Sequence, residues 1–330
     1  MAVLGLGFMG STHLKALKGI PGAALAAVYS NDPKQLSGDL TAVQGNIGGP
    51  GEMMDFSQIG RYSDLDALLA DPNVDAVDIC LPTDFHEAVA LAALRAGKHV
   101  MVEKPMALDG AAADRILAEA ERSGRLLMTA HVLRFFPEYV ALREAIRGGK
   151  HGVPRFAEFR RRCAAPTWGG WLNQPNKSGG GAFDLLIHDV DMCIHLFGVP
   201  EAVSATGYAD PAAGLDWLQA WLHYTDGPAV QVSGGWMGKG VPFSMEFSVA
   251  LDCGTVDYSS AGRPLTFAAE PLAAPGGDGY CAEIAYFVEC CAAGKAPEIC
   301  PPAESAATVK LMRLLLEARD RKGEKIECRI

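Results

Sequence analysis

Lys104 stands between a carboxylate and a proline, in Glu103-Lys104-Pro105, at the end of the apolar run Val100-Met101-Val102. An ammonium at such a point can donate a hydrogen bond or a proton to an oxygen that gathers negative charge. Further along, Ser178-Gly179-Gly180-Gly181 leads into Ala182-Phe183-Asp184-Leu185-Leu186-Ile187-His188-Asp189-Val190-Asp191. Three glycines let the backbone approach a ligand or take positive φ before a helix begins. Asp184 and His188 are four residues apart and share a helical face. That pairing suits a histidine acting as general base, with a carboxylate tuning it or gripping a substrate hydroxyl. The same spacing also matches a metal pair, but no third ligand is indicated and no metal is expected. A polar helix face with an N-terminal aspartate for the dipole would equally explain the segment on its own.

Gly5-Leu6-Gly7-Phe8-Met9-Gly10 follows the opening apolar residues and runs into a helical segment with Leu14 and Leu17. Glycines at this spacing allow a tight turn, backbone approach to a pyrophosphate and close helix packing, while the helix N-terminus attracts phosphate. Dinucleotide binding through Gly5, Gly7, Phe8, Met9 and Gly10 is therefore expected. The fingerprint calls for an acid at the end of the second strand, to hold a ribose 2′-hydroxyl. Ser30 occupies that place, followed by Asn31, Asp32 and Lys34. A hydroxyl, an amide and a cation accept a 2′-phosphate that a carboxylate would repel, so NADP is expected in preference to NAD. NAD use stays open if this stretch is a plain turn and Asp32 serves the ribose from a shifted position.

Other polar residues follow expected strand ends. In Leu81-Pro82-Thr83-Asp84-Phe85-His86, Leu81, Pro82 and Thr83 are placed to line the cofactor. His86 either approaches phosphate or ribose or is an exposed residue of a helix start capped by Thr83 or Asp84. Glu103 and Lys104 are expected beside the same cofactor. His131 and Arg134 lie near the expected cleft. Arg134 contacts cofactor or substrate, or pairs structurally across the domain boundary. Arg160-Arg161-Arg162 and Trp168-Gly169-Gly170-Trp171-Leu172-Asn173 combine cations, flat aromatic faces and an amide, a set that suits a hydroxylated ring. Arg162, Trp168 and Trp171 are thus expected substrate residues with His131, Lys104, Asp184 and His188, although a surface strand and an aromatic core loop account for them as well.

Residues 1–130 alternate short apolar runs with helical patterns, the signature of βαβ units and a parallel sheet. Strands are expected over residues 2–5, 24–29, 76–81, 99–103 and 126–130, and helices over 87–95 and 111–123. After a helix at 139–147 and Gly148-Gly149 the rhythm changes to consecutive strands at 154–162, 199–209, 219–224, 229–236 and 243–251. The expected architecture is α/β: an N-terminal Rossmann domain over 1–130, then an α+β domain over 131–330 with an open mixed or antiparallel sheet. A central helix is expected over 183–196. A last amphipathic helix over 303–319, with Ala307, Leu311, Leu314 and Leu315 on its apolar face, packs on the second domain or docks back on the first.

The 330 residues suffice for about two domains. A formal net charge of −10 argues against general nucleic-acid binding, which needs a basic face. No apolar run approaches the ~20 residues that span a bilayer, and membrane association is not expected. The chain enters a strand at once, leaving no room for a secretory leader. The nine cysteines include no C-x-x-C pair. Reduced thiols in the cytoplasm are the simplest expectation.

These pieces in this order resemble the Gfo/Idh/MocA family of NAD(P)-dependent oxidoreductases. The resemblance runs through Gly5–Gly10 with His13, Cys80–His86, Gly97–Pro105, Arg134–Glu138 and Gly179–Asp191. It implies a Rossmann domain joined to an open-sheet domain that often forms the oligomer interface, hence a homodimer or homotetramer. It implies Lys104, Asp184 and His188 as the catalytic group of a reversible hydride transfer at a CH–OH or C=O carbon of a sugar, polyol or inositol-like substrate. A redox-neutral enzyme of glycosidase or lyase type with retained NAD, and a non-catalytic nucleotide-binding regulator, are the competing readings.

Overall fold

Parallel pairing needs a crossover between successive strands, and the alternating apolar runs of the first third of the chain supply it. The structure, a computed structural model, describes residues 1–45, 51–168 and 170–330 and divides into two units. In the first, β1 (Ala2–Leu4), β2 (Ala27–Tyr29), β3 (Gly60–Tyr62), β4 (Ala76–Ile79), β5 (His99–Glu103) and β6 (Leu127–Ala130) form a parallel sheet ordered β3-β2-β1-β4-β5-β6. The crossovers carry α1 (Phe8–Leu17), α2 (Pro33–Leu36), α3 (Leu65–Leu69), α4 (His86–Arg95) and α5 (Gly110–Ser123). Strand order reverses between β1 and β4, and ligands of such sheets bind outside the carboxyl ends at that switch. β1, β4 and β6 are buried along their length, as expected for strands covered on both faces.

The second unit begins with α6 (Pro137–Arg147) and is built on a nine-stranded mixed sheet. Its strands are β7 (Pro154–Ala164), β8 (Ala202–Asp210), β9 (Leu215–His223), β10 (Ala229–Met237), β11 (Ser244–Leu251), β12 (Gly254–Ser259), β13 (Arg263–Phe267), β14 (Glu270–Pro271) and β15 (Ile326–Glu327). They lie in the order β14-β13-β12-β11-β7-β10-β9-β8-β15, with β7 and β10 parallel and the other neighbours antiparallel. The remaining helices of the chain are α7 (Pro175–Ser178), α8 (Gly181–Phe197), α9 (Gly279–Ala293) and α10 (Pro302–Asp320). Helix α8 crosses β7, β9 and β10.

The expected Rossmann sheet and mixed sheet are both present. The expected boundary needs one correction, because residues 278–306 belong to the first unit with residues 1–131. Helix α9 packs against α1 and buries Ile284, Phe287 and Cys290, a long-range contact that no local pattern announces. Helix α10 runs into the second unit, which takes it from Ala307 onward; there Thr308 Oγ1 donates to Asp191 Oδ1 at 3.3 Å. Strand β3 was not expected, since Gly60-Arg61-Tyr62 is short, polar and at the sheet edge. No helix among the described residues is long and apolar enough to cross a membrane.

Strand β7 shows how the second unit treats charge. Ala157, Phe159, Arg161 and Cys163 alternate onto its buried side. Arg161 donates there through Nε to Asp189 Oδ2 of α8 at 2.7 Å. Burial pushes the Asp189 carboxyl up, against the opposing pull of the guanidinium. Removing one partner of such a pair strands the other charge. Arg161→Ala is expected to cost about 3–5 kcal/mol in urea denaturation. Arg155→Ala, which breaks the exposed pair with Asp252, should cost about 1 kcal/mol or less in the same assay.

Candidate functional site

The glycine turn lies where β1 ends and α1 begins. Gly5 has φ +92°, and a Cβ there would come 2.6 Å from the Cys80 carbonyl oxygen; one on Gly10 would come 1.8 Å from the Gly5 oxygen. Packing alone demands both glycines. Gly7 differs, because a Cβ on it would meet nothing within 4 Å. It is the N-cap residue of α1, with no side-chain cap among the described residues and no acidic residue in the first turn. The first-turn N–H groups of such a helix lack intrahelical partners and attract an anion. Gly5, Gly7, Phe8, Met9 and Gly10 therefore fit a dinucleotide pyrophosphate, with Gly7 leaving the space for its approach.

At the end of β2, the buried Ser30 donates through Oγ to Gln35 Oε1 at 2.6 Å and accepts the Asp32 N–H at 3.1 Å. Asp32 caps α2 by accepting the Lys34 N–H at 2.9 Å. Asn31, Asp32 and Lys34 are exposed. At the end of β4, Leu81 and Pro82 are half-buried and Thr83 is buried in a single 3₁₀ turn.

His86 is neither exposed nor free to reach a phosphate, and both alternatives drawn from sequence are corrected. It is buried, with Nδ1 2.8 Å from the Pro105 carbonyl oxygen and Nε2 2.8 Å from that of Leu81. Burial holds its pKa below the ordinary histidine value, against the two carbonyls. The side chain ties the turn after β4 to the segment after β5.

At the end of β5, Lys104 is half-buried, while Val100–Glu103 and Pro105–Ala107 are buried on either side. The expectation of Glu103 beside the cofactor is also corrected, because its carboxylate turns inward. Glu103 Oε1 lies 3.1 Å from His13 Nε2, and Oε2 accepts the Lys104 backbone N–H at 3.0 Å. Burial would raise the Glu103 pKa, but the hydrogen bond and charge of His13 hold it below the usual carboxylate value. His131, just past β6, is buried.

In the second unit, Asp184 and His188 are the positions of α8 between Gly181 and His195 that are not buried. The glycines ahead of them are fixed by close contacts. Gly180 has φ +92°, and a Cβ on Gly181 would come 2.2 Å from the Trp236 ring. Asp216 on β9 receives the helix start, its Oδ2 accepting the Ala182 N–H at 3.0 Å while Arg319 Nη1 donates to Oδ1 at 2.7 Å. Sequence reasoning missed Asp216 and Arg319, which join this site from distant strands and helices. Asp78, a carboxylate inside the buried strand β4, is a signal that the sequence itself carries.

Arg134 pairs structurally, but within the second unit and not across the domain boundary. It is buried and donates to Asp191 through Nε and Nη2 at 2.8 and 2.7 Å, with Nη1 3.1 Å from His195 Nδ1. Arg162 is corrected as well. It follows Arg161 on β7 and so projects from the sheet face opposite α8, where its Nε donates to Ser244 Oγ at 3.2 Å. The structure does not bring it to Asp184 and His188. Trp168 and Trp171 are half-buried ahead of α7, and Gly169 between them lies outside the described residues. Their neighbour Leu172 packs against Cys163, Leu185 and Trp236 at the root of α8.

Residues 1–131 match the family model described as an NAD-binding Rossmann fold of the Gfo/Idh/MocA oxidoreductases, and residues 139–256 match the C-terminal domain of the same family. The chain belongs to the Gfo/Idh/MocA family. Myo-inositol 2-dehydrogenase of Thermotoga maritima is 33% identical over 199 residues, 60% of this chain and 54% of that protein. UDP-N-acetylglucosamine 3-dehydrogenase of Acidithiobacillus ferrooxidans is 30% identical over 232 residues, 70% of this chain and 65% of its own length. The chain spans about half the length of the curated relatives it matches. A levoglucosan dehydrogenase solved with NADH and levoglucosan has the same fold, with a TM-score of 0.85 at 19% identity over 100% of this chain and 99% of that one.

The glycine turn makes a separable prediction for this Gfo/Idh/MocA protein. Gly7→Ala should leave the melting temperature within about 2 °C while weakening NAD(P)H binding, read by fluorescence titration, by about tenfold or more. Gly10→Ala should instead lower stability by about 1–3 kcal/mol through overpacking. Unchanged binding in the Gly7 variant would remove the turn from the phosphate site.

Proposed function

We propose that the protein is an NAD(P)-dependent oxidoreductase acting on a CH–OH or C=O group of a sugar, polyol or inositol-like substrate. Lys104, Asp184 and His188 are its catalytic residues. The observation that carries this reading is burial: each of the three is a polar side chain at a half-exposed position in an otherwise buried run. Two of them share one helical face and the third directly follows a strand of a dinucleotide-type sheet. Relatives named as dehydrogenases of myo-inositol and of a nucleotide sugar support the substrate class.

In the direction of alcohol oxidation, His188 takes the hydroxyl proton. Lys104 supplies an ammonium that donates a hydrogen bond to an oxygen gathering negative charge. Asp184 orients the His188 ring or accepts a hydrogen bond from a neighbouring substrate hydroxyl. The bound nicotinamide supplies the hydride acceptor, or the donor in the reverse direction. Gly7 and the first turn of α1 hold the pyrophosphate.

NADP(H) is the preferred cofactor in this reading. The exposed amide of Asn31 and ammonium of Lys34 stand where an NAD-selective sheet carries a carboxylate; the Ser30 hydroxyl, expected to join them, is buried and donates to Gln35, and the Asp32 carboxylate is engaged in capping α2.

A panel of sugars, inositols and polyols, followed by nicotinamide absorbance with each cofactor, tests the activity. Lys104→Ala and His188→Ala should each lose about 100-fold or more in kcat while still binding NADPH. Near-normal turnover in either variant would take that residue out of the mechanism. For the cofactor, kcat/KM is expected to favour NADP over NAD by about tenfold, and Lys34→Ala to erase about 1 kcal/mol of that preference. A strong preference for NAD would contradict the assignment.

A further inference from the structure

The first unit buries a line of charge that its sheet does not require. His13 of α1 is fully buried, and its two ring nitrogens face two carboxylates. Nδ1 lies 2.8 Å from Asp78 Oδ2 on β4, and Nε2 lies 3.1 Å from Glu103 Oε1 on β5. The Cys80 sulfur stands 3.5 Å from both His13 Nδ1 and Asp78 Oδ1, and the Tyr280 ring of α9 is 6.1 Å away. Nδ1 is hydrogen-bonded to Asp78, while Nε2 faces Glu103 at ion-pair distance without hydrogen-bond geometry, so a protonated ring is matched by a carboxylate on each side. The imidazolium offsets one of the two buried negative charges.

The line ends on Lys104. Glu103 Oε2 accepts its backbone N–H at 3.0 Å. On the other side of the Lys104-Pro105 peptide, the Pro105 carbonyl faces His86 Nδ1 at 2.8 Å. Both holding side chains are buried; Glu103 is anchored through His13 to Asp78, and the His86 ring sits between the Pro105 and Leu81 carbonyls, donating to one of them as a neutral imidazole. Helix α1 begins at the glycine turn, so the same histidine couples that turn to the lysine's backbone.

We propose that Glu103, held by the Asp78–His13 pair, and His86 are positioning residues that clamp the backbone of Lys104 and so set where its ammonium stands. The proposal rests on Lys104 being catalytic. Burial disfavours the His13 imidazolium, but Asp78, aided by Cys80, outweighs it and holds the His13 pKa well above the ordinary histidine value. The stabilisation from this charge is complete below the unfolded-state value of about 6.5 and is lost only as pH rises through the higher folded value.

Two measurements decide it. In nitrogen-15 spectra of the imidazoles at pH 7.5, His13 should show both ring nitrogens protonated in the full-length protein; a neutral His13 overturns the proposal without recourse to any substrate. Glu103→Gln keeps the shape of the side chain and removes its charge. It should lower kcat by up to about 100-fold while leaving the NADPH dissociation constant within about threefold, as a small misplacement of a reacting group does. A merely structural role would lower the melting temperature and leave kcat below that temperature unchanged, and that result overturns the proposal. Should Glu103→Gln fail to fold, the wild-type spectrum still decides. Lys104→Ala run alongside separates the two ideas: full turnover in that variant defeats the catalytic reading, whereas loss there with full turnover in Glu103→Gln defeats the clamp alone.

Discussion

A parallel sheet brings the carboxyl end of every strand to one edge, and that constraint organises the chemistry of the first unit. Gly5 follows β1, Ser30 follows β2, Leu81 and its turn come just after β4, Lys104 follows β5 and His131 follows β6. Residues spread over more than a third of the chain are thus delivered to one rim, with the order reversing between β1 and β4. The glycines of the first turn are then forced by contact. Gly10 lies so close to the Gly5 carbonyl that no side chain fits, whereas Gly7 keeps open space above the helix start.

Burial sorts the charged residues into two kinds. Arg134 with Asp191, Arg161 with Asp189, and His13 with Asp78 and Glu103 are buried and matched in charge-assisted contacts. Leaving any of these alone in the interior would be costly. Lys104, Asp184 and His188 are half-exposed instead, each set into a buried run. The first kind is satisfied inside the protein; the second leaves polar atoms part-way to the surface. Asp216 belongs with the first kind, since it receives the start of α8 and is held by Arg319.

Much of this was legible in the sequence, for physical reasons. Strands β1, β2, β4, β5 and β6 showed because buried strands are unbroken apolar runs, and α8 showed because three glycines precede a long apolar helix with one polar stripe. Other features depend on distance. His13 and Asp78 are 65 residues apart in the chain, and Asp216 and Arg319 are 103 apart. Local periodicity does not report such pairs. The assignment of α9 to the first unit is of the same kind. Arg162 failed for a different reason: alternation along β7 was readable, but its phase, which turns Arg161 inward and Arg162 outward, follows from the pairing of Arg161 with Asp189 on α8. His86 and Glu103 sat in the right turns, yet their side chains serve the protein's own backbone and His13.

The most direct test of the central claim follows the hydrogen itself. A sugar or polyol identified as a substrate, carrying deuterium at the carbon that bears the reacting hydroxyl, is incubated with the protein and NADP or NAD, and the cofactor is analysed by mass spectrometry. The proposed chemistry predicts that one deuterium moves from the substrate carbon to the nicotinamide ring and stays there as ketone accumulates. Product formation with no label on the cofactor, or with the label returned to the substrate carbon and no net reduction, would contradict it.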